Sequence, residues 1–507
     1  MMEILLVLVP LTAAVAAALW PHSRSRPWFL PAAAGVHAAL CLGLLGQPPA
    51  RPLHPWFGWD PLARALLPAV SLLFLGCAGY GVAYLRLRAE RPNRLFVPVF
   101  LLMLALMSAA HMARHLGLLW IASETLTLAA VPLLHFNATP RAYEATWKYL
   151  LVGGTGMALS LLGSFCLGYA SLHGGGGGDL TFAALAAQGD RLSRPWVLAA
   201  WVLVLVGYGT KMGLAPLHAW KPDAYGEAPG IVGAMLAGGV TTVMFAALLR
   251  VRAVVVAAGA EAVTRRTWLV LGLGSVLLAA LFLLATRDFK RMLAYSSIEH
   301  MGLLSVGAAL GGAGLTAALF HVWNNSLSKG ALFLAVGNLR RAAGARTVEE
   351  VRGMAWVTPG SAALFVAGLF AVTACPPFGP FFSTLQLLQS GLAAGQGPAM
   401  AVLLVGLLLA FLGLTRVVFS TVDGRPPRPV RTTARQFPES RWLVVPPLAL
   451  LGLTVGLGWT PPALLRESWT AAVSQLEPAQ ATAPGTQRLP NSPVLPTGGG
   501  PTLPLTP

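Results

Sequence analysis

Hydrophobic residues occur along this chain in long blocks, and the charged residues concentrate in the short stretches between them. Most of these blocks are close to the roughly 20 apolar residues that an α-helix needs to cross the hydrocarbon core of a bilayer. About fourteen can be delimited, at residues 2–20, 28–46, 66–85, 96–112, 115–135, 147–170, 195–220, 227–249, 267–285, 290–311, 314–337, 358–390, 398–420 and 441–459. This pattern predicts an all-α polytopic membrane protein with about 14 transmembrane helices.

Two of the segments are predicted to be broken helices. Residues 358–390 would form a helix of about 50 Å at 1.5 Å per residue, although the hydrocarbon core is only about 30 Å thick. This segment contains Pro376 and Pro377, which a straight helix does not accommodate. The seventh segment, 195–220, contains Pro216 close to its end. We therefore expect helix breaks in the seventh and twelfth segments.

The two breaks lie five segments apart, which suggests an internal repeat. If segments 4–8 and 9–13 are repeats, each break falls on the fourth helix of its repeat, and an odd number of helices inverts one repeat in the membrane. Interrupted helices at corresponding positions of inverted repeats are the best indication of a transport site near the midplane. The predicted organisation is N-terminal helices at 1–95, repeats at 96–250 and 267–420, a final helix at 441–459 and a disordered Pro/Thr-rich tail at 471–507.

Composition supports a membrane protein and gives it an orientation. Charged residues make up only 10% of the chain, apolar residues 56%, and the mean hydropathy is +0.67. The net charge of +17 does not indicate nucleic-acid binding, because the basic residues lie in short loops between apolar blocks. Of the 35 Lys and Arg, 22 fall on the side opposite the N-terminus and 11 on the N-terminal side. The richer side is predicted to be cytoplasmic, which places both termini outside the cytoplasm.

The sequence shows no recognisable catalytic, metal-binding or cofactor-binding motif. The four cysteines, Cys41, Cys77, Cys166 and Cys375, lie in or beside apolar blocks without a Cys-x-x-Cys spacing. We therefore expect no metal, no iron–sulfur cluster and no other cofactor. Catalytic residues are not predicted, and whether the chain belongs to an enzyme stays open at this point.

Several ionisable residues instead lie inside the apolar blocks, where a charge at the bilayer centre costs about 2.5–3.5 kcal/mol. Glu124 lies near the middle of the fifth segment, and Lys211 lies just before the break at Pro216. Lys211 needs a counter-charge, for which Glu124 is the natural candidate. His218, at the break, suits proton exchange near neutral pH, although it is equally a hydrogen-bonding residue for unwound backbone.

The second half carries a similar set. Glu299 and His300 lie about ten residues into the tenth segment. Adjacent helical residues point about 100° apart, so these two need not pair with each other. Four polar residues of the eleventh segment share one helical arc of about 100°: His321, Asn325, Ser328 and Lys329. Such a seam can simply join helices, but a lysine within it favours a path for protons.

Three stretches give the chain a resemblance to a known family: Thr210 through Trp220 with Pro222-Asp223-Ala224 and Glu227-Ala228-Pro229, Asp288 through Ser297, and His321 through Lys329 with Ala331-Leu332-Phe333. Over roughly residues 95–420 the chain resembles the antiporter-like subunits of respiratory complex I, multi-subunit sodium/proton antiporters and membrane-bound hydrogenases. The stretches Ser297 through Gly302 and Ala145 through Leu150 look closest to the hydrogenase-4 and formate-hydrogenlyase branch.

The resemblance implies fourteen helices, inverted five-helix repeats and proton transfer along a central polar axis. By motif position, Glu124 and Lys211 match the glutamate–lysine pair of the family, Lys329 its second central lysine, and His321 a family histidine. The resemblance also implies a bacterial or archaeal cytoplasmic membrane.

Three departures from the family pattern stand out. Residues 232–248 have no lysine, and their only polar side chains are Thr241 and Thr242. After the twelfth-segment break, Ser383 and Thr384 stand where many members carry a charge. Asn325 stands where some relatives have a second histidine. The missing charge leaves the outward exit of the second half without a titrating group.

The predicted function is proton translocation in a redox-driven energy-converting complex of the hydrogenase or NADH-quinone-oxidoreductase kind. The partners would be other membrane subunits and soluble redox subunits, with no nucleic acid. One alternative is a subunit of a sodium/proton antiporter or of an ion-coupled inorganic-carbon uptake system. Another is a structural scaffold that has lost conduction. The proton-path candidates are Glu124, Lys211, His218, Glu299, His300, His321 and Lys329.

Overall fold

The structure, a computed structural model, describes residues 2–47, 54–345, 347–436 and 438–477. Within these residues the regular structure is helical, and the few β-bridges are isolated pairs. The α-helices are α1 (Met2–Leu19), α2 (Phe29–Leu45), α3 (Pro61–Leu87), α4 (Phe96–Met112), α5 (Leu116–Leu134), α6 (Pro140–His173), α7 (Phe182–Gln188), α8 (Arg194–Met212), α9 (Trp220–Glu227), α10 (Gly230–Met235), α11 (Thr241–Ala257), α12 (Glu261–Ala285), α13 (Phe289–Leu310), α14 (Gly312–Ala343), α15 (Met354–Val357), α16 (Pro359–Val372), α17 (Gly379–Ala393), α18 (Gly397–Val422), α19 (Arg428–Gln436), α20 (Arg441–Trp459) and α21 (Ala463–Leu476).

The helices have the length and composition of membrane spans. Ten helical stretches of the described residues are long and apolar enough to cross a bilayer. Helices α4 and α16 are apolar but shorter, with 17 and 14 residues. Helices α13 and α14 have 22 and 32 residues but carry charged and polar side chains. The prediction of an all-helical polytopic membrane protein is confirmed, and the count of fourteen spans stays a prediction.

Local sequence explains where some of these helices begin. The carboxylate of Asp60 accepts a hydrogen bond of 2.9 Å from the backbone N–H of Ala63 at the start of α3. The carboxylate of Asp288 accepts from the N–H groups of Lys290 and Arg291 at the start of α13. Such caps satisfy N–H groups that the first helical turn leaves without a partner. The two aspartates therefore fix the first turns of α3 and α13.

Two interruptions divide helical stretches at the prolines noted in the sequence. The first lies between α8 and α9 and contains Gly213, in a left-handed conformation with φ of 88°, and Pro216. The second lies between α16 and α17 and contains Pro376 and Pro377. Proline lacks the N–H that a helix interior requires, so neither segment continues as one helix.

The segment predicted at 227–249 is longer in the structure. Helices α10 and α11 are joined by a π-helical turn, Leu236–Val240, and the whole stretch Gly230–Ala257 is helical. Arg250 and Arg252, which the sequence pattern places in a loop, therefore lie on α11, and both are buried.

The first residues of the predicted disordered tail are helical instead. Helix α21 continues through Leu476, with Trp469 and Ala472 buried against the rest of the protein. An amphipathic pattern in residues 463–476 explains the difference, because it gives α21 an apolar face to bury. The remaining part of the predicted tail, residues 478–507, lies outside the described residues.

A buried ion pair joins the N-terminal helices to α11 and α21. Both oxygens of Asp60 accept from the guanidinium of Arg250, at 2.5 and 3.0 Å, and Gln475 of α21 donates to the same carboxylate. Burial by itself raises the pKa of Asp60, but the charge of Arg250 and these hydrogen bonds outweigh it and lower that pKa. The carboxylate therefore stays ionised and holds three helices together.

Helices α14 and α9 occupy the positions that matter most for the site. Helix α14 is almost entirely buried and packs against α3, α10, α13, α16, α17 and α20. The short helix α9 packs against α6 on one side and α13 on the other. It therefore lies between the elements of the first and second halves.

Candidate functional site

Lys211 lies at the end of α8, immediately before the first interruption, and is only 1% exposed. Its Nζ lies 4.0 Å from the ring centre of Tyr149 on α6 and 6.0 Å from that of Trp220 on α9. Gly153 leaves the space for it, because a Cβ at this position would lie 2.1 Å from the lysine Nζ. The ammonium is thus held against aromatic faces, an attraction of about 0.5–2 kcal/mol.

The expected ion pair between Glu124 and Lys211 is not formed. Glu124 is partly exposed on α5, and neither its Oε2 nor the Nζ of Lys211 has a hydrogen-bond partner among the described residues. The reason is the helix arrangement, since α5 and α8 each pack against α6. The two charges act on each other across a longer distance than an ion pair, and the prediction of direct pairing is wrong.

Lys221 was assigned to a loop by its sequence position, but the structure buries it completely, with 0% exposure. Its Nζ donates a 2.8 Å hydrogen bond to the carbonyl of Met212, the last residue of α8. Gly213 makes room for this side chain, because a Cβ there would lie 2.8 Å from the lysine Nζ. The ring centre of Tyr225 lies 5.4 Å from the same nitrogen.

His218 lies in the interruption between α8 and α9, and its side chain packs against α12. Its ring packs near Phe282 of α12, with 6.2 Å between ring centres. Its Nδ1 has no hydrogen-bond partner in the part of the chain that the structure describes. The structure therefore does not join His218 to Lys211 by a hydrogen bond.

Lys329 is fully buried near the middle of α14. Its Nζ donates to the hydroxyl of Ser296 on α13, and that hydroxyl lies 3.5 Å from Oε2 of Glu299, one turn further along the same helix. A hydroxyl can accept and donate at the same time. Ser296 therefore connects the lysine to the glutamate without direct contact between the two charges.

His300 points away from Glu299, as expected for adjacent helical residues. Its Nδ1 lies 2.8 Å from Nε2 of His321, and Nδ1 of His321 lies 2.9 Å from the hydroxyl of Ser383. The hydroxyl of Ser383 also lies 3.1 Å from the carbonyl of Pro380. The two imidazoles thus form a hydrogen-bonded row from α13 through α14 to the start of α17.

Two further residues of the α14 arc carry buried polar atoms without a hydrogen-bond partner in the described part of the chain. Asn325 Oδ1 and Ser328 Oγ make no hydrogen bond within the described residues. Asn324, which the sequence analysis left out, donates from Nδ2 to the carbonyl of Phe320 at 3.2 Å, and its Oδ1 has no partner there. Buried polar groups of this kind are satisfied in proteins by ordered water.

Charged residues of the family motifs lie in the first and last turns of α9. Asp223 forms ion pairs of 2.7 Å with Lys148 on α6 and with Arg291 on α13. Arg340 of α14 lies 3.8 Å from Glu227 and donates to the carbonyl of Gly226. These contacts attach both ends of α9 to the flanking helices.

Comparison with known proteins assigns this arrangement to a family. The model of the transmembrane region of the NADH:quinone oxidoreductase/Mrp antiporter family matches residues 113–412, more than half of the chain. The chain belongs to this family. The resemblance seen in the motifs is therefore confirmed, and the protein is a membrane-embedded subunit of the antiporter-like kind.

Individual relatives come from more than one kind of complex. The hydrogenase-4 component F homolog of Methylacidiphilum infernorum is 36% identical over 326 residues, 63% of this chain and 68% of the relative. The NADH-quinone oxidoreductase subunit N of Desulforudis audaxviator is 33% identical over 485 residues, 90% of this chain and 94% of the relative. A chain of the Mrp complex from Dietzia sp. DQ12-45-1b has 26% identity and a TM-score of 0.81, covering 94% of this chain and 97% of that chain.

Two of the three departures from the family pattern involve hydroxyls whose hydrogen bonds the structure shows. Thr241 and Thr242 donate to the carbonyls of Ala237 and Gly238, both at 2.6 Å, in the π-helical turn. Their hydroxyls are therefore satisfied within their own helix. The hydroxyl of Ser383 is instead the last group of the hydrogen-bonded row that runs from His300 through His321. Many family members carry a charged residue at this position.

Sequence reasoning missed several residues of the site. Lys221 escaped because it follows the apolar block and precedes a proline, as a loop lysine does. Tyr149, Tyr225 and Ser296 are ordinary residues of apolar helices in sequence, and only their contacts distinguish them. The available signal was the pair of glycines, Gly153 and Gly213, in stretches where long side chains would otherwise pack.

Proposed function

We propose that this protein is a proton-translocating membrane subunit of an energy-converting complex driven by soluble redox subunits. The proposal rests chiefly on one observation. Buried ionisable and hydroxyl side chains lie in three groups: Lys211 beside the first interruption, Lys329 with Ser296 and Glu299 on α14 and α13, and the hydrogen-bonded row His300–His321–Ser383, which ends just after the second interruption. Several polar atoms in and beside these groups have no partner among the described residues, as expected where water completes a path for protons.

The energetic cost of such a row argues for transport and against a purely structural seam. A charged residue at the bilayer centre costs about 2.5–3.5 kcal/mol, and those that persist mark ion paths and proton relays. Lys211, Lys329 and Glu299 are each 2% exposed or less. Joining helices needs only neutral hydrogen bonds, so three buried ionisable groups exceed what packing requires.

The finer architecture forms part of the proposal. Helices α4, α5, α6, α8–α9 and α10–α11 correspond to α12, α13, α14, α16–α17 and α18 as inverted five-helix repeats within fourteen spans. In support, the third helix of each set is long, with 34 residues in α6 and 32 in α14, and the fourth is interrupted. The repeats would occupy 96–250 and 267–420. Both termini would lie outside the cytoplasm of a bacterial or archaeal cell.

The energy must come from partners. Moving one elementary charge against 100 mV requires about 2.3 kcal/mol, and the row of side chains described above can transfer protons but not electrons. Relatives named for hydrogenase-4 and NADH-quinone oxidoreductase support redox subunits as the source. The likeness to a chain of an Mrp complex supports a second candidate, a subunit of a sodium/proton antiporter.

The decisive experiment is proton uptake by membrane vesicles that contain the complete native complex. Wild type is compared with Lys211→Ala after assembly of the subunit has been checked. We expect uptake to fall at least tenfold, because the substitution removes the buried ammonium group of α8. Unchanged uptake in the assembled variant would overturn the proposal and favour a structural scaffold.

The same vesicles distinguish the two transport candidates. Redox substrate should drive proton uptake without sodium if the first candidate holds. An antiporter subunit should show sodium efflux driven by a pH gradient and no response to redox substrate.

A further inference from the structure

Lys221, the second residue of α9, is a fully buried lysine that the proposed path does not yet use. It is 0% exposed, on a helix that packs against α6 and α13 at once. An exposed loop lysine would contact water and acidic residues. This lysine instead directs its ammonium at a backbone carbonyl inside the protein, that of Met212.

The neighbours of Lys221 belong to both halves. On one side, Trp220 packs edge-on against Tyr149, with 5.2 Å between ring centres, and Tyr149 carries the ammonium of Lys211. On the other side, Tyr225 packs against Phe333 of α14, with 5.6 Å between ring centres. Helix α9 therefore places Lys221 between the aromatic residues that contact Lys211 and the helix α14 that carries Lys329.

Polar groups continue from Lys221 toward the second half. The hydroxyl of Tyr225 lies near that of Ser297 on α13, and neither has a hydrogen-bond partner within the described residues. Ser297 is the neighbour of Ser296, which binds Lys329. The charge of Lys221 acts on those of Lys329 and His300. The titratable groups near Lys221 thus include Tyr225 on α9, His300 on α13, Lys329 on α14 and His218 in the interruption.

The immediate partner of Lys221 suits a group that gains and loses a proton. The carbonyl of Met212 ends α8, where the helix dipole stabilises a cation. Among the described residues, no carboxylate forms an ion pair with this ammonium. A buried lysine without a carboxylate partner changes its protonation state readily, and this is the property that catalytic lysines use.

We propose that Lys221 relays protons between Lys211 and Lys329, and so connects the two halves of the path. In one step, the ammonium of Lys221 gives one proton through bridging water to the neutral amine of Lys329. Lys221 is left as an amine and Lys329 becomes an ammonium. Transfer of one proton from the ammonium of Lys211 then restores Lys221. The inference rests on the proposed function, because it presupposes proton movement along this row.

The alternative is that Lys221 only attaches α9 to the end of α8. Lys221→Gln separates the two, because an amide can still donate to the Met212 carbonyl but carries no transferable proton at neutral pH. Lys221→Arg is the second variant, since guanidinium keeps the charge and the hydrogen bond but does not deprotonate in proteins. Lys290→Gln is the matched control, because Lys290 is also buried and also donates to a carbonyl, that of Ala228.

The measurement is redox-driven proton uptake by vesicles with the complete complex, alongside Lys329→Ala. We expect uptake to fall at least tenfold in Lys221→Gln and in Lys221→Arg, and to stay within twofold of wild type in Lys290→Gln. Lys221→His should recover part of the uptake and move its optimum to lower pH, because imidazole titrates near pH 6.5. A structural role predicts neither the recovery nor the shift.

The outcomes separate this inference from the proposed function. If Lys329→Ala abolishes uptake while Lys221→Gln and Lys221→Arg retain it, the relay is overturned and the proposed function stands. If Lys329→Ala also leaves uptake unchanged, the proposed function fails first. If Lys221→Gln does not assemble, Lys221→Arg decides, and wild-type uptake in that variant overturns the relay.

Discussion

The two central lysines are held in opposite ways. Lys211 lies against an aromatic face in a space left by Gly153, and its ammonium makes no hydrogen bond to the described residues. The ammonium of Lys329 donates to the hydroxyl of Ser296, which in turn lies 3.5 Å from Oε2 of Glu299. The first site therefore restrains its cation by shape and a ring face, and the second by directed hydrogen bonds.

This difference suggests a division of labour between the halves. A cation over a ring is attracted to the ring face as a whole and needs no single donor–acceptor direction. A hydrogen-bonded lysine has a fixed partner, which suits transfer along a defined route. We therefore expect the second half to be sensitive to the loss of single hydroxyls and the first half to be sensitive to changes of space.

The largest effect is expected from Ser296→Ala. A hydrogen bond to a charged group contributes about 1.5–3 kcal/mol, and about 1.4 kcal/mol corresponds to a tenfold change in rate. Proton uptake by vesicles should therefore fall about 10- to 100-fold. Ser305→Ala is the control on the same helix, because the hydroxyl of Ser305 donates only to the carbonyl of Met301 in its own helix. Equal losses in both variants would contradict the hydroxyl link.

A change of space at the first site should have the next largest effect. In Gly153→Ala, the new Cβ would lie 2.1 Å from Nζ of Lys211, so the flexible end of the lysine must leave the Tyr149 ring. We expect uptake to fall about tenfold with normal assembly, for a loss of about 1.4 kcal/mol. Gly154→Ala, whose Cβ would meet nothing within 4 Å, should behave as wild type. A wild-type rate of proton uptake in Gly153→Ala would show that uptake does not depend on the position of the Lys211 ammonium.

The smallest effect concerns the ring itself. Tyr149→Leu removes an attraction of about 0.5–2 kcal/mol, so uptake should fall about 2- to 30-fold, while Tyr149→Phe should stay within twofold of wild type. Phenylalanine keeps the ring face and loses only a hydroxyl that has no partner within the described residues. If Phe and Leu reduce uptake equally, the hydroxyl and not the ring supports Lys211.

Sequence reasoning predicted the elements of the site better than their connections. The apolar blocks and the prolines identified the helices and both interruptions, because a bilayer imposes length and composition on every span. Buried Lys211, Lys329, Glu299 and His321 were also predictable, since ionisable residues inside apolar blocks are rare. These inferences depend only on the local sequence.

The partners of those residues depend on which helices are neighbours, and local sequence does not determine that. Glu124 and Lys211 were expected to pair directly, but α6 packs against both of their helices, and its Tyr149 receives the ammonium. Lys221 looked like a loop residue because it follows an apolar block and precedes a proline. Its burial depends on the packing of α9 against α6 and α13, which local sequence does not determine. The link from Lys329 through Ser296 could not be predicted for the same reason.

The contact between α11 and α21 has a consequence for the biogenesis of the protein. Arg252 is buried on α11, and its ion pair of 2.8 Å is with Glu477, at the end of α21. During translation, Arg252 is synthesised 225 residues before this carboxylate. A buried arginine without its partner is strongly destabilising. The packing around Arg252 is therefore complete only after residue 477 has left the ribosome, and a chain arrested earlier carries this charge without its ion-pair partner.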